Sequence, residues 1–423
     1  MTNDPAPQHA EFLERRRRLL GPAYRLFYDD PVYLVRGNGV WLYDEKDNAY
    51  LDAYNNVVPA GHCHPAIQAA ISTQAARLNT HTRYLSEGIL RYAEALLAHF
   101  PGLSGHVMFT CSGSEANDLA LQLARSYTGG MGLVVTSNAY HGNTTAVSAI
   151  SPSIRPPTEA HVRTIMLPTD GDLPTRRRLF GEYTRTAVAD LRAHGMELAA
   201  LILDSAFSSD GVFVDPPGFI NDAVDVVRKA GGIFIADEVQ AGFGRLGAMW
   251  GFERHEIVPD IVTLGKPMGN GHPVAAVVAS KPIVEAFARQ SRYFNTFGGN
   301  PVSCAAGMAV LEVLQQEGFT ENVASTGSYL KHGLENLAAH HSCIGEVRGA
   351  GLYYGVEILG EAKDSGGHIA SQIVNTMRAR RVLVGTTGPE GDVLKIRPPL
   401  VFSRRNADHL LDVIDSSIRT VRS

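Results

Sequence analysis

Three short segments carry residues whose types and spacing could do chemistry. In Phe109-Thr110-Cys111-Ser112-Gly113-Ser114-Glu115-Ala116-Asn117 an apolar run enters a Gly/Ser turn and passes directly into a helical pattern. Such a turn aims backbone N–H groups and hydroxyls at one point, and a helix N-terminus adds roughly half an elementary charge, so a phosphate can sit there without a lysine. The Gly-Lys-Ser/Thr ending of a nucleotide loop is absent. The second segment, from Gly232 to Gln240, puts Asp237 at the carboxyl end of a buried strand, where open α/β sheets place ligands. The third, from Ile261 to Gly271, puts Lys266 in a Gly/Pro-rich loop after the next strand. Taken singly, each has an ordinary reading: Ser114 and Asp237 as caps, Lys266 as a surface charge.

Together they supply what pyridoxal phosphate requires: a phosphate cradle, an imine-forming amine and an acid for the pyridine nitrogen. A free lysine amine titrates near ~10.4 and becomes useful at neutral pH when buried or held as an imine. Unit charges about 4 Å apart attract by ~4 kcal/mol at an effective dielectric of about 20, enough to favour the protonated ring nitrogen beside Asp237.

The elements that must position these groups are legible in the apolar pattern. Strands are expected over 106–110, 132–136, 198–203, 232–236, 261–264 and 274–279, and helices over 115–127 and 220–229. This alternation is α/β: a large mostly parallel sheet with helices on both faces, plus a smaller α+β domain. The smaller domain begins near Ser325 with a long helix, strand character over 345–359, a helix near 369–380, a strand over 393–396 and a closing helix from Asn406. Residues 33–52 alternate around turn signals, as meandering antiparallel strands do. The division expected is 1–60 as an N-terminal segment packing with the small domain, 61–324 as the large cofactor-binding domain, and 325–423 as the small domain. Residues 151–178, rich in Pro, Thr and Arg, read as a long surface connection.

The 423 residues suffice for two or three packing units, and 44% hydrophobic with 19% charged residues is an ordinary globular composition. A formal charge of -5 argues against nucleic acid or an anionic membrane as the main partner. The run from Arg15 to Arg18, among Leu13, Leu19 and Leu20, fits an amphipathic surface helix. Four dispersed cysteines fit free thiols, and with neither a signal-peptide core nor an apolar stretch of bilayer length a cytoplasmic location is expected. His62-Cys63-His64 could suggest a metal, but adjacent residues at a Gly/Pro turn do not converge tetrahedrally, and no metal is expected.

The sequence resembles the class III aminotransferases of pyridoxal-phosphate fold type I from about Gly21 to the final helix. The lines that carry the resemblance are Tyr54-Asn55-Asn56 with Gly61-His62-Cys63-His64-Pro65, Ser112 to Asn117, Tyr140-His141-Gly142, Ala236 to Gln240, Gly265 to Pro273 and Phe294 to Pro301. The resemblance implies Lys266 as the imine-forming lysine and Asp237 as the partner of the ring nitrogen. It implies Gly113 and Ser114 at the phosphate, Tyr140 on the ring with His141 beside it, Val239 against the other face, and Gln240 near the ring hydroxyl. It also implies a homodimer with shared active sites, or a tetramer containing it, in which Thr296 reaches the neighbouring subunit's cofactor phosphate.

Within the family the sequence is most similar to the ethanolamine-phosphate and phosphohydroxylysine phospho-lyases and their bacterial relatives, through Asn55-Asn56-Val57, Gly269 to Pro273, Leu394-Lys395-Ile396 and Pro398-Pro399. Many transaminases of the class carry Glu-Pro-x-x-Gly-Glu, whose second Glu pairs with an arginine. Here the stretch is Asp204-Ser205-Ala206-Phe207-Ser208-Ser209, with serine at that Glu. The expected activity is therefore elimination of phosphate and ammonia from a small phosphorylated amine. Transfer of the amino group to a keto acid such as pyruvate is the alternative, and a catalytically silent binding protein a third. Substrate-anion candidates are Arg397, whose planar fork suits carboxylate or phosphate, with Asn55, Arg83 and Arg25 on resemblance. Val58-Pro59-Ala60 and Arg397 depart from the phospho-lyase pattern.

Overall fold

The computed structural model describes residues 7–360 and 365–422. The meander expected near the start of the chain forms β1 (Leu34–Asn38), β2 (Trp41–Asp44) and β3 (Ala49–Asp52), joined by antiparallel pairing. The β-branched runs that follow form β4 (Gly105–Thr110), β5 (Gly132–Thr136), β6 (Val162–Ile165), β7 (Leu198–Asp204), β8 (Ile233–Asp237), β9 (Ile261–Leu264) and β10 (Ala275–Ser280). These seven make one sheet in the order β4-β10-β9-β8-β7-β5-β6, in which β10 runs antiparallel to both its neighbours and β9, β8, β7, β5 and β6 are parallel.

Alternate residues of these strands enter two separate apolar layers. Leu133 and Val135 pack with Leu119 and Leu123 of helix Gly113–Thr128, whereas Val134, Leu201 and Phe234 pack with Phe180 and Val224 on the opposite side. Both faces are thus covered by helices, which is why the strands read as continuous apolar runs.

The stretch 151–178 differs from its expectation as a bare surface connection. It contains β6 at the sheet's edge, and its end starts helix Leu173–Ala193, capped by Asp172, whose carboxylate accepts from Thr175 N. A four-residue edge strand among prolines carries too short a pattern to register in sequence.

The C-terminal part supplies helix Phe319–His340, β11 (Ile344–Ala350), β12 (Tyr353–Ile358), helix Gly366–Ala379, β13 (Val382–Leu383), β14 (Gly385–Thr387), β15 (Val393–Ile396) and helix Arg404–Val421. Strands β11, β12, β15 and β14 form one four-stranded sheet in that order, while β13 pairs parallel with β3, Val382 against Leu51. Among the described residues no helix is long and apolar enough to cross a membrane.

Candidate active site

The strand ends bring the three chemical segments together. Register pairs Asp204 with Asp237 across β7 and β8, and Asp237 with Thr263 across β8 and β9, so the two acids stand side by side and Lys266 follows just beyond β9. The turn after β4 opens at the same edge. There Ser112, not Ser114, caps helix Gly113–Thr128: its Oγ accepts from Glu115 N at 3.2 Å, and Glu115 Oε2 accepts from Cys111 N at 3.0 Å. With Ser112 as the cap, the Ser114 hydroxyl accepts from Asn143 N at 3.2 Å.

These residues line a cavity of about 280 Å³ that includes Gly113, Ser114, Tyr140, His141, Asp237, Val239, Gln240 and Lys266. Its floor is closely packed. A Cβ on Gly113 would stand 3.0 Å from the Val239 methyls, and one on Gly142, at φ 141°, only 2.4 Å from Ser114 Oγ. Glycine is required at Gly142 on both counts.

Asp237 is buried and accepts three hydrogen bonds: Oδ2 from His141 Nδ1 at 2.7 Å and from Asn117 Nδ2 at 2.9 Å, Oδ1 from Val239 N at 3.0 Å. Asn117 Nδ2 also reaches the His141 carbonyl at 2.7 Å, and Nε2 of His141 is buried without a hydrogen-bond partner among the described residues. Lys266 titrates below the ordinary lysine value, first because it is withdrawn from water and then because the Arg397 guanidinium opposes a second positive charge; Asp237 and Asp204 partly restore it.

The anion candidates fall elsewhere. Arg397 is 6% exposed and lies outside the cavity lining, donating Nη1 to Gln240 Oε1 and standing 4.5 Å over the Tyr54 ring. An ion pair, its ordinary alternative role, is absent: no carboxylate among the described residues is within ion-pair distance. Asn55 accepts from Val57 N at 3.0 Å and does not line the cavity, though its neighbour Asn56 donates to the Gln240 carbonyl at 3.1 Å. Arg83 is exposed and stacks 3.9 Å over Phe294, Arg25 is exposed, and Thr296 is exposed outside the cavity. His62 pairs with buried Asp52 at 2.7 Å and His64 with Glu317 at 3.0 Å, and no group of metal-ligating side chains forms among the described residues.

One residue of the cavity lining and three behind it carry roles that the sequence did not suggest. Asn117 lies inside the turn motif, one helical turn beyond Ser114, and that spacing was its only signal. Asp204 lines the cavity from the end of β7, its carboxylate bound by Ala206 N and Ser208 N. Tyr353, whose hydroxyl lies 3.5 Å from Gln240 Oε1, and Arg245 come from remote segments with no local signal.

The model of the family described as aminotransferase class-III matches residues 27–418. A solved phospholyase from Arthrobacter, in complex with phosphoethanolamine, is 42% identical with a TM-score of 0.93, over 97% of this chain and 99% of that one. A Drosophila melanogaster protein named alanine–glyoxylate aminotransferase 2-like is 39% identical, over 95% of this chain and 85% of its own length. A Caenorhabditis elegans protein named ethanolamine-phosphate phospho-lyase homolog 1 is 36% identical, over 96% and 92%. The large, mostly parallel sheet with its helices matches the fold type I aminotransferase structures, and the chain belongs to the class III aminotransferase family.

Proposed function

We propose that the cavity holds pyridoxal 5'-phosphate and that the chain is a phospho-lyase for a small phosphorylated primary amine such as ethanolamine phosphate. The residues suit the cofactor at four points. Free donors at the start of helix Gly113–Thr128, with the Ser114 hydroxyl, suit its phosphate. The Lys266 amine suits its aldehyde, the buried triply bonded Asp237 its ring nitrogen, and Tyr140 and Val239 its two faces.

When bound, the ring supplies a sink for the electron pair released at the carbon bearing the substrate nitrogen. Lys266 takes the proton from that carbon. Asp237 holds a proton at the ring nitrogen, with His141 and Asn117 fixing its carboxylate. Phosphate leaves from the adjacent carbon as its C–O bond breaks, and water carries the remaining fragment to an aldehyde and ammonia.

The observation that carries the lyase reading is Arg397, a buried guanidinium near Lys266 that meets Gln240 and no carboxylate among the described residues. Ser209 stands where the dual-substrate transaminases carry the Glu that neutralises an arginine, so this charge is left for a substrate anion. Likeness to the Arthrobacter and C. elegans proteins supports the same reading. The test is ethanolamine phosphate with purified enzyme and no keto acid. Equal release of phosphate and ammonia over many turnovers is expected. Loss of the visible band after one turnover, restored by pyruvate, would favour the second reading, an aminotransferase, which the name of the Drosophila relative supports.

The working form is proposed to be a homodimer in which exposed Thr296 reaches the partner's cofactor phosphate. Exposed Leu85 and Phe297 support a covered surface there. Four free thiols support a reducing, cytoplasmic setting.

A further inference from the structure

Arg245 is 1% exposed, and no carboxylate among the described residues lies within ion-pair distance of it. Its Nη1 donates to the carbonyls of Leu352, at 3.0 Å, and Pro398, and its Nε is buried without a partner among the described residues. The contact is reciprocal, since Leu352 N donates to the Arg245 carbonyl at 3.0 Å. Burying an unpaired guanidinium is costly, and burial followed by the Arg397 charge brings its pKa down to about 9. Capping two carbonyls is a task that a neutral side chain could perform at lower cost, so the charge calls for a further reason.

That reason lies in what the two carbonyls adjoin. Pro398 directly follows Arg397. Leu352 directly precedes Tyr353, whose hydroxyl approaches the same Gln240 Oε1 that accepts from Arg397. One guanidinium therefore pins the main chain on both sides of the Arg397, Gln240 and Tyr353 contact. Lys395, on β15 two residues before Arg397, is also buried without an ion pair among the described residues, and it too is opposed by Arg397. Among the described residues, Arg245, Lys395 and Arg397 have no carboxylate within ion-pair distance, while Asp204 and Asp52 act on Lys395 and Arg245 only from further away.

We propose that Arg245 is a positioning residue for substrate-anion recognition: by fixing the carbonyls of Leu352 and Pro398 it holds the Arg397 guanidinium where a dianionic phosphate ester reaches it. The inference rests on the reading of Arg397 as the substrate-anion group. A monocarboxylate or an uncharged amine gains less from such a corner, so Arg245 favours phosphorylated amines.

The test titrates holoenzyme with ethanolamine phosphate and with propylamine, reading the change in the visible band of the bound cofactor, in wild type, R245M and R245K. R245M weakens ethanolamine phosphate by about tenfold or more and propylamine by less than about threefold, and R245K, whose ammonium can still donate to both carbonyls, recovers most of the loss. Equal weakening of both amines in R245M, or no weakening of either, overturns the proposal. Should R245M fail to fold, R245K decides: ethanolamine phosphate within about threefold of wild type is expected, and a loss of about tenfold for both amines overturns it. Because binding is read without phosphate release, a wild-type enzyme that binds ethanolamine phosphate but releases no phosphate sinks the lyase reading and leaves this one standing.

Discussion

His141 Nδ1 lies 2.7 Å from Asp237 Oδ2, and both groups are buried, with Asn117 donating to the same oxygen. The carboxylate that faces the cavity is therefore anchored from behind by two side chains, one from helix Gly113–Thr128 and one from the loop at His141. A charge-assisted hydrogen bond contributes roughly 1.5–3 kcal/mol. Removing either donor, in His141→Ala or Asn117→Ala, is expected to lower turnover about ten- to a hundredfold and to shift the pH dependence of the cofactor's visible band. An unchanged spectral titration in both variants would mean that Asp237 needs no such anchoring.

Lys266 should be the position labelled when the cofactor is trapped with borohydride. Lys266→Ala is expected to abolish labelling and lower turnover by about 10²–10⁴-fold. Peptide mapping that finds the label elsewhere would refute the assignment.

The charge of Arg397 is one of the causes that hold the Lys266 amine below its ordinary pKa. Only the neutral amine reacts with an aldehyde. Arg397→Met is thus expected to raise the Lys266 pKa and move the rise of cofactor incorporation into apoenzyme to higher pH. The rate of incorporation against pH, compared between the two proteins, measures this directly; a shift towards acid would contradict the arrangement.

Gly142→Ala places a methyl against Ser114 at a backbone angle reserved for glycine. The expected cost is about 1–3 kcal/mol of stability, with a displaced Ser114 hydroxyl and cofactor binding weakened by about tenfold or more. Urea denaturation and titration of apoenzyme with pyridoxal phosphate report the two effects separately.

His255 accepts from Gly218 N at 2.9 Å, and burial, aided by the neighbouring Arg254 charge, lowers its pKa to about 4 from 6.5. The unfolded chain binds this proton first. The stabilisation it contributes is therefore complete above the unfolded value and is lost as pH falls from 6.5 towards about 4, amounting to roughly 3 kcal/mol at most. His255→Gln, which can still accept from Gly218, should remove that part of the acid sensitivity. Urea midpoints at neutral and mildly acidic pH would reveal it as a flatter difference between the two conditions.

Much of the large sheet was legible because its strands are buried on both faces and so read as unbroken apolar runs. The expected strand over 261–264 coincides with β9, and those over 232–236 and 274–279 lie one residue from β8 and β10. Strand order was not legible, since the reversed β10 between β4 and β9 is fixed by packing and leaves no local mark. In the site, Asp237, Lys266 and the Gly113 turn were legible as strand-end residues. The capping role of Ser112 was readable from Ser112-x-x-Glu115, and it removes capping, the ordinary alternative for Ser114, whose hydroxyl lines the cavity. Arg245, Tyr353 and Lys395 acquire meaning only through contacts between segments far apart in the chain.

The parallel pairing of β3 with β13 has a consequence for synthesis. Leu51 leaves the ribosome long before Val382 exists, so the open flank of that early ribbon must wait, exposed, until the segment carrying Val382 has been made. A nascent chain arrested before Val382 would carry an unsatisfied edge, and chaperone capture or misassociation should concentrate there.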